Sequence, residues 1–212
     1  MSIAIIDYGM GNLRSVENAF ASLTSDARTV REPQELRDAD KIVLPGVGAF
    51  GDGMAHLASG GWIPALEDEV RGRAKPFLGL CVGMQLLATT GLEHGTHRGL
   101  NWVPGVVDRL AAVDGVRIPH IGWNDVDLIR RDGLYAGVER PVFYFVHSFV
   151  FRPEAAETIS GVCSHGERFA ASIEHGNIWA TQFHPEKSQQ AGLQVLRNFI
   201  TRECASFRSK SA

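Results

Sequence analysis

The sequence predicts an α/β fold: an open, mostly parallel but mixed sheet flanked by helices. Three observations carry this prediction. Through the first half, short β-branched apolar runs alternate with segments whose apolar residues recur at helical spacing, the order that builds a parallel sheet covered on both faces. From Val103 onward, strand-like runs follow one another without helical segments between them, which predicts a mixed or antiparallel extension of that sheet. The 212 residues are 44% hydrophobic and 21% charged, enough to bury a sizeable core without disulfide or metal staples.

The elements follow in order. Residues 2–6 form an apolar run that stops at Asp7-Tyr8-Gly9, a first strand. Residues 12–23 place Leu13, Val16, Phe20 and Leu23 at helical intervals. A second strand at 41–44 is cut by Pro45-Gly46, and residues 62–70 read as a helix with Ile63, Leu66 and Val70 on one face. Residues 76–80 form a third buried strand, and a helix begins over 84–88. Strand-like runs then occupy 103–109, 116–120, 142–151, 169–173 and 178–183, before a closing helix over 191–207. No repeat, low-complexity stretch or linker interrupts the chain, so a single domain over 1–212 is expected.

Composition excludes several classes of function. With 21 basic and 24 acidic residues, the formal charge of −3 gives no footprint for nucleic acid. No apolar run approaches the ~18 residues a membrane span needs. Three scattered cysteines do not make a disulfide framework, and the N-terminus lacks a basic segment followed by an apolar core. A cytoplasmic location is therefore expected. No cofactor is expected either: Asp7-Tyr8-Gly9-Met10-Gly11-Asn12 resembles a dinucleotide fingerprint, but its third glycine position holds Arg14.

The sharpest local signal is Gly79-Leu80-Cys81-Val82-Gly83, with glycines two residues on each side of a cysteine. This is the arrangement of a nucleophile elbow, a tight strand-to-helix turn that forces its central residue into a strained conformation. The start of a helix also favours a thiolate there, and the N–H of Val82 is a candidate oxyanion donor. A buried structural cysteine in a glycine-rich turn is the competing reading, and a base must decide between them.

Of the eight histidines, His94, His97, His165 and His175 sit in polar, glycine-rich contexts and read as solvated loop residues. Their scatter fits no zinc spacing, so no metal is expected. His184 differs: it ends an apolar strand, is followed by Pro185, and has Glu186 two residues on, where a carboxylate can fix the imidazole tautomer. Cys163 and Cys204 carry no flanking pattern and read as structural.

The elbow together with His184-Pro185-Glu186 resembles the class I (triad) glutamine amidotransferases. Asp7-Tyr8-Gly9-Met10-Gly11-Asn12-Leu13, Pro119-His120-Ile121-Gly122-Trp123-Asn124 and His184-Pro185-Glu186-Lys187-Ser188 point more narrowly to its glutaminase subunits of histidine biosynthesis. Leu44-Pro45-Gly46-Val47-Gly48-Ala49-Phe50 and Tyr144-Phe145-Val146-His147-Ser148 match as well. The resemblance spans essentially the whole chain and implies a flavodoxin-like core. It also implies that Cys81 attacks the side-chain amide of L-glutamine, with His184, oriented by Glu186, handling protons. Val47 and Gly48 then match the oxyanion strand, Gln85 the residue that holds the substrate's amino-acid end, and His147, Ser148 and Phe149 the segment that binds glutamine through its backbone.

The partner implied is a separate cyclase subunit that binds a nucleotide substrate, with Asn12, Trp123, Tyr144 and Lys187 at or near the boundary. Asn12 has a second reading, as the cap of the first helix. Two positions depart from the family pattern: Val82 replaces its usual leucine and Phe149 its usual tyrosine. Both leave backbone groups intact, although the phenolic hydroxyl is lost. Two other readings stand beside this one: the same chemistry serving another synthase, and an inactive interaction module, against which the intact Cys81, His184 and Glu186 argue.

Overall fold

The computed structural model describes residues 2–24 and 26–202. Its first half runs β1 (Ile3–Ile6), α1 (Leu13–Ala21), β2 (Ala27–Val30), β3 (Lys41–Gly46), α2 (Phe50–Ser59), α3 (Trp62–Leu66), β4 (Phe77–Cys81) and α4 (Val82–Gln85). Two short strands, β5 (Thr90–Gly91) and β6 (His97–Arg98), precede β7 (Gly105–Arg109). Then come β8 (His120–Leu128), β9 (Val142–His147), β10 (Phe149–Pro153), β11 (Ile159–His165), β12 (Glu167–His175), β13 (Ile178–Thr181) and the closing α5 (Gln189–Thr201).

The main sheet has the order β2-β1-β3-β4-β13-β12-β11-β8-β9. Pairing is parallel from β2 through to β13, then antiparallel from β13 to β9. The expected mixed sheet is thus present, and β13 is the strand at which its character changes. A smaller sheet, β10-β7-β5-β6, lies beside it.

The pleat sorts the core. Ala4, Ile6, Ile42, Leu44 and Phe77 point to one side, where α2 and α3 contribute Leu57, Trp62 and Leu66. Ile3, Ile5, Val43, Leu78 and Leu80 point to the other, against Phe20 of α1 and Val195, Leu196 and Phe199 of α5. Strands buried on both faces read as unbroken apolar runs, which is why the sequence announces them. Each such side chain contributes about 1.5–3 kcal/mol by burial. Lys41, fully buried at the start of β3, directs its Nζ to the carbonyls of Phe199 and Ile200 at 2.8 and 2.7 Å and to that of Arg202. Its charge thereby meets the negative end of α5 and ties that helix to the sheet.

Several boundaries differ from the sequence reading. The strand β2 and the helix α2 are not announced, because β2 is half polar and α2 carries Gly51 and Gly53, poor helix formers. The helix from Trp62 is α-helical only to Leu66 and then widens into a π turn, Glu67–Gly72. The helix expected at 84–88 starts immediately after Cys81 and lasts a single turn. The strand expected at 116–120 begins only at His120, after Pro119, which has no N–H for a ladder. The run 142–151 breaks at Ser148 and feeds two different sheets. The end of the predicted closing helix, with Cys204, lies outside the described residues. Among the described residues, no helix is long and apolar enough to cross a membrane.

Candidate active site

Cys81 is the last residue of β4 and has φ 53° and ψ −107°, a backbone conformation that a residue with a Cβ rarely adopts. The flanking glycines explain how the turn closes. A Cβ on Gly83 would lie 2.0 Å from the Leu44 carbonyl oxygen, and one on Gly79 would lie 2.6 Å from that of Gly83. The elbow predicted from sequence is therefore formed. The one-turn α4 is too short for a full helix dipole, so that part of the thiolate argument yields to a charged neighbour.

That neighbour is His184. The parallel pairing of β13 with β4 sets Thr181 beside Leu80 and carries the chain on to His184. His184 Nδ1 donates to Glu186 Oε1 at 2.7 Å, and both side chains are buried. Burial by itself lowers the pKa of His184, but negative charge on the Cys81 sulfur and on Glu186 outweighs it and pushes it up to about 10. Because Nδ1 is committed to Glu186, the interaction with the Cys81 sulfur falls to Nε2, the nitrogen left to exchange protons. The ring is held in place through its backbone: its N–H donates to the Tyr144 carbonyl at 2.9 Å, and its carbonyl accepts from Ser188 Oγ at 2.6 Å.

Both groups open onto a cleft of about 560 Å³. Val47, Gly48, Val82, Gln85, His147, Ser148 and Phe149 line it, so the nucleophile, oxyanion and substrate candidates are brought together. Gly46 is the register partner of Cys81, which places the start of the candidate oxyanion strand beside the candidate nucleophile. Gly48 has φ +105°, a conformation open to glycine. Gln85 is buried and donates from Nε2 to the Phe149 carbonyl and to Gln182 Oε1, each at 3.0 Å. Phe149 thus enters through its backbone, and the missing hydroxyl touches none of these bonds.

The four boundary candidates divide. Trp123, 47% exposed, stands edge-on to Tyr144 with ring centroids 6.0 Å apart, and Lys187 Nζ lies 5.9 Å from the centre of the Tyr144 ring. These three form one patch. Asn12 is exposed at the N-cap position of α1 but makes no capping hydrogen bond with its side chain. Instead it borders a small crevice shared with Val47, His184 and Glu186.

Three histidine readings change, the first being His97, which lies half-buried on β6 rather than in a solvated loop. His94 is exposed but lines the cleft. His165 is not a solvated loop residue: it ends β11, half-buried, and stacks on His120 at 4.0 Å because the β11–β12 turn brings it over β8. Sequence reasoning passed over Gln182 and His120, both buried. A glutamine inside an apolar strand was the available signal for Gln182, because a buried amide must find partners. Among the described residues, no group of His, Cys, Asp and Glu is placed to hold a metal ion.

The family model "Glutamine amidotransferase class-I" matches residues 4–202. A protein of Geobacter sulfurreducens called imidazole glycerol phosphate synthase subunit HisH is 46% identical over 203 residues, covering 93% of this chain and 97% of its own. A protein of the same name from Caulobacter vibrioides is 43% identical over 207 residues, covering 94% and 97%. Among solved structures, a glutamine amidotransferase superposes with TM-score 0.74 at 19% identity over 94% of this chain and 97% of that one. PurLQS from Thermotoga maritima gives TM-score 0.74 at 18% identity, with the same coverage of both chains. At that identity the two structures establish the fold alone, whereas the family model covers nearly the full chain: the protein belongs to the class I glutamine amidotransferase family.

Proposed function

We propose that this chain is the glutaminase subunit of imidazole glycerol phosphate synthase, releasing ammonia from L-glutamine for a separate cyclase subunit. The observation that carries the reading is the strained Cys81 beside a buried His184 that Glu186 holds at 2.7 Å. We read residues 1–212 as one glutamine amidotransferase domain, with the acceptor chemistry on the cyclase subunit.

The geometry supports the following chemistry. The Cys81 sulfur adds to the side-chain carbonyl carbon of glutamine, and its thiol proton resides on His184 Nε2. Negative charge develops on the carbonyl oxygen, where the N–H of Val82 and one from the Val47–Gly48 strand receive it. His184 passes its proton to the departing nitrogen, the C–N bond breaks, and ammonia leaves a thioester on Cys81. Water then gives a proton to Nε2 and adds to the thioester carbon. Collapse returns the proton to sulfur and frees glutamate. Glu186 stabilises the imidazolium at both stages.

Gln85 has committed its amide N–H groups, so its Oε1 is free to accept from the substrate ammonium. The 147–149 backbone receives the rest of the amino-acid end. Asn12 and the Trp123–Tyr144–Lys187 patch meet the cyclase subunit, and the passage so closed keeps ammonia unprotonated until it reaches the acceptor. Docking sets the Val47–Gly48 peptide in its competent orientation, a change that the glycine permits at little cost.

Glutamate release is the test, measured with the chain alone, with the cyclase subunit, and with that subunit plus its nucleotide substrate. Activity is expected to be low alone and raised by the complete complex, and Cys81→Ala should abolish it. A Cys81→Ala variant that kept the rate would overturn the reading.

A further inference from the structure

Gln182 takes no part in the steps above, yet it is fully buried and bonded at both ends of its amide. Its Nε2 donates to Cys81 Sγ at 3.6 Å, and its Oε1 accepts from Gln85 Nε2 at 3.0 Å. Gln85 also donates to the Phe149 carbonyl at 3.0 Å. The same carbonyl lies 3.0 Å from His147 Nδ1, His147 Nε2 lies 3.0 Å from His120 Nδ1, and His120 Nε2 lies 3.1 Å from Asn124 Nδ2. The contacts run without a break from β8 to the nucleophile.

One fixed point assigns every proton in this series. A carbonyl oxygen only accepts, so His147 carries its hydrogen on Nδ1 and accepts at Nε2. His120 must then carry its hydrogen on Nδ1 and accept at Nε2 from the Asn124 amide. The orientation of that amide is fixed independently: its Nδ2 donates to the Ser164 carbonyl at 3.0 Å, and its Oδ1 accepts from the Asp125 N–H at 2.9 Å. The two rings meet edge-on, their planes 72° apart, because His120 and His147 are register partners across β8 and β9. Phe145 stacks on one side of His120 at 4.7 Å and His165 stacks at 4.0 Å, so the ring has little freedom to turn.

We propose that this series is a positioning network, in which Gln182 holds the Cys81 sulfur and His120 keeps the 147–149 segment in register with β8. The proposal deepens the glutaminase reading and rests on it. Gln182 and His120 are positioning residues: one acts through the sulfur, the other through the Phe149 carbonyl. A buried amide N–H directed at sulfur favours its anionic form, since hydrogen bonds to charged acceptors are the stronger kind. A buried network whose members are all satisfied is rigid, and removing one member leaves its neighbours unpaired. Asn124 alternates along β8 with exposed Ile121 and Trp123, so a chain that docks there and shifts β8 shifts the far end of the network with it.

The test is the pH profile of Cys81 alkylation by iodoacetamide in the full chain, followed at the peptide that carries Cys81. It compares wild type, Gln182→Leu, His120→Phe and the double variant. Gln182→Leu keeps the bulk but removes the donor, and should move the midpoint of the profile upward by about one pH unit, a tenfold loss of thiolate below it. His120→Phe keeps the ring stack and should move it the same way by less. The double variant should move no further than Gln182→Leu alone, because His120 acts through Gln182. An unchanged profile in Gln182→Leu overturns the role of Gln182, and additive shifts overturn the continuity. Should Gln182→Leu fail to fold, Gln182→Asn, whose shorter amide withdraws from the sulfur, carries the same expectation and the same refutation. Because no glutamine is present, this outcome is separate from a failure of the glutaminase reading, which appears as absent glutamate release by the wild-type complex.

Discussion

His184 Nδ1 lies 2.7 Å from Glu186 Oε1, with both side chains almost wholly removed from solvent. A buried imidazole beside a buried carboxylate retains its proton far above the usual range, and the carboxylate is one of the two charges responsible. We predict that Glu186→Gln, which keeps an acceptor but removes the charge, lowers kcat for glutamine hydrolysis by about 10²- to 10⁴-fold. The pKa of His184 should fall in the same variant. Both are read from the pH dependence of glutamate release by the complex and from the imidazole resonance; an unchanged His184 titration would refute the assignment.

The strain at Cys81 makes a stability prediction. Ala keeps the Cβ that makes φ 53° unfavourable, whereas Gly does not. We expect Cys81→Gly to be more stable than Cys81→Ala by about 1 kcal/mol, with both variants inactive. Denaturant unfolding of the pair is the measurement, and equal stabilities would mean that the elbow is not strained.

His120 and His147 predict the acid sensitivity of the fold. Burial chiefly, helped by His165, lowers the pKa of His120 to about 4. Burial followed by His120 lowers that of His147 to about 3, with smaller pushes from His165 and His184 and an opposing pull from the Phe149 carbonyl. In the unfolded chain both rings titrate near ~6.5, so between that pH and the folded values the unfolded state binds more protons. Stability should therefore fall as the pH drops from about 6.5 towards 4. In His120→Phe the decline should be shallower over that interval. Thermal melts of the two proteins across the interval decide it, and parallel curves would count against neutral rings.

Trp123 predicts partner affinity. An aromatic ring that is 47% exposed, braced edge-on by Tyr144, is the kind of anchor that dominates interfaces. Trp123→Ala should weaken association with the cyclase subunit by about 2 kcal/mol or more, roughly thirtyfold in Kd. The alkylation rate of Cys81 in the isolated chain should be unaffected. Titration of the two subunits measures the first, and wild-type affinity would remove Trp123 from the boundary.

Much of this was legible because the relevant signals are local. The elbow lies within five residues, His184 and Glu186 are two apart, and strands such as β1 and β4 are buried on both faces and so read as apolar runs. Gly51 and Gly53 hid α2, and nothing in the run 142–151 announces that Ser148 divides it between two sheets. The contacts of Gln182 and His120 were out of reach for a different reason. Gln182 meets Cys81 across 101 positions of sequence and His120 meets His147 across 27, distances that only strand register resolves. Asn12 shows the opposite failure: a residue type that suits a helix cap occupies the position without making the bond.

The change of pairing at β13 has a consequence for the assembly of the site. The cysteine comes from the parallel half of the sheet, the histidine from the end of the strand where the pairing reverses, and the 147–149 segment from the antiparallel half. The first half of the sequence supplies Cys81 but neither His184, Glu186 nor the 147–149 segment. On the proposed roles, the site is therefore assembled only once β13, the last strand in sequence, has paired with β4 on one side and β12 on the other.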